Sequence, residues 1–600
     1  MQFKHFKLSF YSISAFCIIV FALLLRFILI SQPWPETNSD EGTIGLMALH
    51  IAYRGEYPIF FYGQGYMGPL EAYLAAPLFQ LFGPSLFVLR LGLIILLALF
   101  FVSTYLLTTL LYNQKLALVT LIILSLGSIG ELFVQLRAIG GYAETLLFSS
   151  LLLLLATWLA FSYKNNLSLK KRLLRYILYC CWGYLVGVGI WSDLLIMPFV
   201  VMSAAFLLIL CWPDLDSLVP SCVIASFTLG ILPLLVYNIQ SLPQKSTLFY
   251  FLLVYRSDTT GHALIQVPFY QKLLGALLVG LPSATGANPI CYTQNVPFFG
   301  FFNPADRPCV LLQGSWSLGC ILLWLSAVIL TLRALWKQRH HLRKYPVDAE
   351  IRYFIVRYSA RLMLLGSAAL TLILFAFSPV AGLDPWTNSR YLLCLLAITP
   401  AIIAPLWREM PTGTAILSHL AKLLPGTRKE PEVPKRDLTL SFQAVPPPTS
   451  IHGISKARQW AASIMSGGVL LYICAMLVLG TFGTFNAVPA TQAWYAQQDQ
   501  LITRLERMGA TRIYSEYWTC NSIIFQSNER IICSVIGDNL RPGYNRYESY
   551  YFIVKRSASH AFYVLPLGSP VAINFARRLA HSKNHYRQYL FDGYAIYQPL

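Results

Sequence analysis

A chain of 600 residues in which 56% are hydrophobic and only 12% charged holds more apolar material than a water-soluble core needs. Repeated apolar runs of about 20 residues make it a polytopic α-helical membrane protein rather than a soluble one. The net charge of +19 gathers in a few short loops, as the positive-inside rule requires, and so excludes nucleic acid as the partner.

Residues 10–30 form the first span, preceded by Lys4, His5 and Lys7. The run is too long for a signal-peptide core and has no small-residue cleavage site before Pro33, so it is read as retained, with the N-terminus cytoplasmic. The loop 33–86 then lies outside. Its first strong signal is the pair Asp40 and Glu41, followed by a helical pattern (Ile44, Met47, Ala48, Ile51) that ends near Gly55 and Pro58. Asp or Ser at a helix start ordinarily caps backbone N–H groups. A carboxylate pair just outside a span raises the functional reading above that ordinary one.

Further spans are expected at 86–112, 116–133, 146–161, 176–191, 194–212, 218–237, 315–335, 362–379, 390–407 and 461–483, about eleven in all. Lys164, Lys170, Lys171, Arg172 and Arg175 follow an inward span and agree with this orientation. The outer segment 238–314 has the length and Pro/Gly content of a loop that covers a substrate. The stretch 408–460, rich in Pro, Lys and Arg, reads as a flexible cytoplasmic linker. Residues 486–600 read as a separate soluble outer α/β domain. In it an amphipathic helix at 491–508 precedes β-like runs at RIYSEYW, RIICSV, YYFIVK and AFYVLP, a helix near 569–581, and a terminal pair around YRQYLFDGYAIYQ.

Of the 12 cysteines, only Cys291, Cys309, Cys520 and Cys533 fall in expected outer soluble regions, one pair to each region. Disulfides Cys291–Cys309 and Cys520–Cys533 suit an oxidising compartment. No CxxC or HExxH spacing points to zinc.

A short first span, an outer loop with an Asp-Glu pair, a helix, an RGEYP turn and the run FYGQGYMGPLEAY resemble the GT-C membrane glycosyltransferases. Within that superfamily the likeness is to the branch of protein O-mannosyltransferases and the aminoarabinose lipid A transferase. RAIGGYAETLLF and NSRYLL resemble that family's second outer element and late-span entrance, so the 1–407 region matches its catalytic core. GATRIYSEYWTCNSIIFQSNERIICS resembles the C-terminal outer domain of bacterial members.

The resemblance implies transfer of a sugar, hexosyl or pentosyl, from a polyprenyl-phosphate carrier to a protein, lipid or glycan acceptor. The reaction would take place at the outer face of the plasma (inner) membrane, with inversion. The family's catalytic base maps to Asp40, and Glu41 matches the second acidic position. A carboxylate within reach of the acceptor hydroxyl is also what the chemistry needs.

A leaving lipid phosphate calls for cations near the outer interface, and Arg137, Arg390, Arg256 and Lys272 stand closest to span ends. For each the alternative is a side chain that snorkels to the headgroups. Candidate substrate-binding residues are Tyr66 and Glu71 in the first loop, Tyr142 and Glu144 at a span start, and Asp193 between two spans. Asp193 also suits a turn. Arg137 and Glu144, seven apart, would share a face if one helix carried both. His262 is isolated and reads as structural. The branch implies no cofactor, and Asp40, Glu41 and Glu144 would hold a divalent ion only if they converge. A lipid-linked sugar flippase or other transporter would show internal repeats and mid-span charge, and neither stands out in this sequence. A non-catalytic envelope-assembly protein is the third reading.

Overall fold

The structure, a computed structural model, describes residues 9–163, 168–242, 246–247, 249, 267–287, 307–337, 349–408, 456–581 and 585–600. Arg256, His262, Cys291, most of the expected covering loop and nearly all of the expected linker lie outside the described residues, and so does the Cys291–Cys309 pairing.

The chain is a polytopic helical membrane protein with a small C-terminal sheet. Among the described residues nine helices are long and apolar enough to cross a membrane, or ten if one bent pair counts as a span, beside the about eleven expected. The difference lies in two places. The stretch expected to span at 194–212 is a short helix, Met197–Leu210, entered through a 3₁₀ turn. The stretch expected at 116–133 is broken: α5 (Gln114–Ser125) and α6 (Ile129–Gln135) meet at 89°.

Before that break the chain forms α1 (Phe10–Ser31), α2 (Ser39–Arg54), α3 (Leu70–Phe82) and α4 (Leu86–Leu111), and after it α7 (Tyr142–Phe161) and α8 (Leu169–Ser192). A broken helix in an apolar surround must still satisfy its backbone. Arg26 of α1 does so by donating to the carbonyls of Leu124 and Ser125, at 3.1 and 2.8 Å. Ser128 and Glu131 form a capping box that starts α6.

The expected helix after Asp40 is α2. Asn38 caps it, accepting from the Glu41 amide at 3.0 Å, and Gly55 ends it with φ at 66°. The expected last span and the amphipathic helix at 491–508 are one 52-residue helix, Lys456–Arg507.

Beyond it the five strands β1 (Arg512–Ser515), β2 (Ile532–Val535), β3 (Phe562–Pro566), β4 (Tyr586–Phe591) and β5 (Tyr594–Pro599) lie in the order β2-β1-β3-β5-β4. The first three are parallel, joined through the helices Tyr517–Gln526 and Glu548–Arg556. β4 and β5 form a hairpin turned at Asp592 and Gly593, both with positive φ. The YYFIVK run is therefore helix rather than strand, because Tyr550 and Val554, four apart, bury one face. Cys520 and Cys533 are disulfide-bonded, tying the helix Tyr517–Gln526 to β2. One apolar core runs from the spans into this sheet.

Candidate active site

The first loop and the C-terminal domain meet along α2 and the helix Tyr517–Gln526. A Cβ at Gly42 would lie 2.6 Å from the carbonyl oxygen of Asn521, so only glycine lets the two backbones approach this closely. Asn521 Nδ2 donates to Thr43 Oγ1 at 3.0 Å, and the rings of Phe525 and Phe79 stack at 6.0 Å.

That docking brings two C-terminal residues to Asp40. Its Oδ1 accepts from the Tyr517 hydroxyl at 2.7 Å and from Arg546 Nη2 at 2.9 Å. No bond among the described residues reaches its Oδ2, and the side chain is 15% exposed. Arg546 also donates through Nε to Tyr517 Oη at 2.7 Å and lies over the Phe61 ring at 4.4 Å. Burial works against its charge, but Asp40 and Tyr517 outweigh this and push the guanidinium further up.

Glu41, expected beside Asp40 as a second acid, faces the other way. It is wholly buried against Arg90 of α4, receiving Nε at 2.8 Å and Nη2 at 2.6 Å, and it also accepts from the Ala138 amide at 3.1 Å. A carboxylate bonded on both oxygens and closed from solvent holds α2, α4 and the 136–141 turn together rather than meeting a substrate.

Arg390 sits in a 3₁₀ stretch, Thr387–Ile398, unusual for its twelve residues. Its guanidinium lies 5.3 Å from the Tyr142 ring and 5.7 Å from that of Tyr391, and these rings stack at 5.9 Å. Its charge is within reach of both Asp40 and Asp193. Asp193 Oδ1 accepts from the Leu195 amide at 3.0 Å, so it makes the turn, while its Oδ2 lies where a Cβ on Gly141 would come, at 2.6 Å. Burial pushes the Asp193 carboxyl up to about 6, against the pull of the Leu195 amide and Arg390. Tyr66 stands among Tyr391, Arg546, Asp193 and Tyr544. Asp40, Tyr66, Tyr142, Asp193 and Arg390 are thus brought together, with Tyr391, Tyr517 and Arg546 added.

The other candidates fall elsewhere. Glu71 and Glu144 are buried against each other beneath this group, Glu71 accepting from the Gly140 amide at 2.9 Å. Burial, and then the Glu144 charge, pushes the Glu71 carboxyl well above its usual range, and its bond from the Gly140 amide braces the Gly140–Gly141 turn. Arg137 does not pair with Glu144, because the helix begins only at Tyr142. Arg137 donates to the Glu36 carbonyl, lies 3.8 Å from the Phe133 ring centre, and is drawn by burial down to about 10. Lys272 Nζ is 3.4 Å from the Phe377 carbonyl. Glu41 pairs with Arg90 and Asp40 with Arg546, and among the described residues no three His, Cys, Asp or Glu side chains gather as metal ligands.

Arg90 carried a sequence signal: a lone charge inside an apolar run needs a partner. Tyr517 and Arg546 carried none, since more than 470 residues separate them from Asp40 and only the docking joins them.

No family model matches the chain, and no curated protein matches it. Among solved structures, it is similar to ArnT from Cupriavidus metallidurans bound to undecaprenyl phosphate, at a TM-score of 0.53 and 12% identity over 97% of each chain. Weaker likenesses are to the same protein in the apo state, at 0.47 and 11% identity over 97% of each chain, and to the oligosaccharyltransferase AglB from Archaeoglobus fulgidus with an inhibitory peptide and a dolichol-phosphate. The latter scores 0.45 at 13% identity over 98% of this chain and 74% of that one. At this identity the likeness is one of fold: the chain shares the fold of that ArnT structure.

Proposed function

We propose that the chain transfers a sugar from a polyprenyl-phosphate carrier to an acceptor hydroxyl at the outer face of the inner membrane. The observation that carries this reading is Asp40: one oxygen is anchored by Tyr517 and Arg546, the other is free, and the Arg390 charge stands nearby. Undecaprenyl phosphate in the similar ArnT structure supports a carrier of that class.

In this reading Asp40 Oδ2 takes the acceptor proton as the acceptor oxygen bonds to the anomeric carbon. The bond from that carbon to the phosphate oxygen breaks, and its electron pair leaves with the phosphate. Arg390 lies where it can meet that charge, since its buried Nε has no partner among the described residues. Glu41 is fully engaged by Arg90. Glu41 is thereby unavailable as the nucleophile of a double displacement, and Asp193 is held in its turn by the Leu195 amide, which supports a single displacement with inversion. The same reading places the N-terminus and the linker 408–460 in the cytoplasm and residues 486–600 outside.

The test is transfer of label from a set of radiolabelled polyprenyl-phosphate sugars into membrane components, by wild type and by Asp40→Asn. Loss on the order of 10²–10⁴-fold in the variant, with donor binding kept, is expected. Wild-type transfer that survives Asp40→Asn removes Asp40 as base. Absence of transfer from every donor, with movement of the carrier across vesicles, makes the protein a transporter.

A further inference from the structure

The site is not complete within the membrane core. Both groups that bond Asp40 come from the C-terminal domain, and each is itself fixed. Tyr517 opens the helix that the disulfide ties to β2. Arg546 follows a loop held at two points: Asn545 Oδ1 accepts from the Val535 amide at 2.8 Å, and the Tyr544 hydroxyl donates to the Gly63 carbonyl in the first loop. Arg546 Nε to Tyr517 Oη and Tyr517 Oη–H to Asp40 Oδ1 form a chain in which each bond strengthens the next. The guanidinium also closes a triangle by reaching Asp40 Oδ1 directly.

Two bonds on one oxygen fix the direction of the carboxylate and leave Oδ2 to face the site. A first-turn helix residue has several rotamers open to it, and nothing within α2 selects among them. We propose that Arg546 and Tyr517 are positioning residues for Asp40, so that the C-terminal domain completes the transfer site instead of only covering it. This rests on the transferase reading of Asp40. Neither residue need touch the sugar or the phosphate. Their effect is on how often Oδ2 points at the acceptor, and a misplacement of about 1 Å costs on the order of 100-fold in rate.

The experiment uses the full-length protein in lipid nanodiscs with the radiolabelled donor that wild type accepts, measuring kcat and donor KM for Arg546→Ala, Arg546→Lys and Tyr517→Phe. Docking is read separately. Thr43→Cys with Asn521→Cys, whose side chains meet at 3.0 Å, is introduced into each variant, and the oxidised cross-link is detected by mass spectrometry.

The expected result is a fall in kcat on the order of 100-fold for Arg546→Ala. It should come with donor KM within about threefold, partial recovery in Arg546→Lys, a smaller loss in Tyr517→Phe, and the cross-link formed throughout. Unchanged kcat in both Arg546→Ala and Tyr517→Phe overturns the inference and leaves the transferase reading standing. A loss confined to donor KM also overturns it, since Arg546 would then be a donor-binding group. If Arg546→Ala fails to cross-link, Tyr517→Phe alone decides, because it removes one hydroxyl and no charge. Failure of wild type to transfer from any donor overturns the transferase reading and the inference together.

Discussion

Glu41 and Arg90 face each other through two parallel hydrogen bonds, Nε to Oε1 at 2.8 Å and Nη2 to Oε2 at 2.6 Å, with both side chains sealed from solvent. One step along the chain, Asp40 turns to a different set of partners, bonded through Oδ1 to Tyr517 and Arg546 and 15% exposed. Neighbouring carboxylates therefore differ in kind, and substitution should separate them. Removing one member of a buried pair strands the other charge, at about 3–5 kcal/mol. Glu41→Ala and Arg90→Ala are expected to lower the thermal unfolding midpoint sharply in detergent. Asp40→Asn removes the charge beside Arg546 but keeps the oxygen that accepts from Tyr517 and Arg546, so it should lower the midpoint less than Glu41→Ala does while abolishing transfer. Equal midpoints for Glu41→Ala and Asp40→Asn would mean that Glu41 is not structural.

The contact of α2 with the helix Tyr517–Gln526 depends on Gly42. A methyl there meets backbone atoms of Asn521 and Ser522 at 2.6–2.8 Å, and backbone cannot turn aside as a long side chain can. Gly42→Ala should part the two helices and carry Tyr517 away from Asp40, losing transfer and the Thr43–Asn521 cross-link together. Gly468→Ala in the long helix, where nothing lies within 4 Å, is the control and should change neither. A Gly42→Ala protein that still cross-links fully would show that the contact has slack.

The Cys520–Cys533 bridge closes a short loop, with a sequence separation of 13, and ties Tyr517's helix to the sheet. Loops of that size are worth about 3 kcal/mol when closed. Replacing both cysteines with serine should hasten proteolysis within 486–600 and lower transfer, while the membrane core keeps its protease resistance. Unaltered proteolysis in the double variant would make the bridge dispensable.

Local signals were read where the physics is local. The α2 boundaries follow from Asn38, the apolar spacing and Gly55, and the spans follow from length and apolarity. Sequence distance hid the rest. The α5–α6 break is held by Arg26, about 100 residues away, and a hydropathy run records no partner at that range. The Tyr550 helix reads as a strand in the sequence because a six-residue apolar run fits either period. Among site residues, Asp40, Arg390, Tyr66, Tyr142 and Asp193 were named from chemistry and resemblance, and the fold gathers them. Glu41 looked equivalent to Asp40 because sequence shows adjacency but not direction. On a helix, consecutive side chains point about 100° apart, and here that angle separates a carboxylate bonded on both oxygens to Arg90 from one bonded through a single oxygen to Tyr517 and Arg546.

Asp193 ties stability to pH. Burial raises its folded value to about 6, from an ordinary 3.8. Between roughly pH 4 and pH 6 the folded protein holds a proton that the unfolded chain has released, so stability falls as pH climbs through that window. The stabilisation from that proton is whole below the unfolded value and lost above the folded one. By neutral pH the buried charge costs roughly 3 kcal/mol relative to a neutral side chain. Asp193→Asn keeps the oxygen that accepts from the Leu195 amide and removes the charge. The variant should match wild type at pH 4 and unfold at a higher temperature at pH 7, with the gap opening between those values. The Arg390 charge works against this, since it loses a partner in the variant. Arg390→Gln alone should therefore widen wild type's loss of stability with rising pH. Parallel unfolding curves for wild type and Asp193→Asn across pH 4 to 7 would show that Arg390 fully offsets the burial.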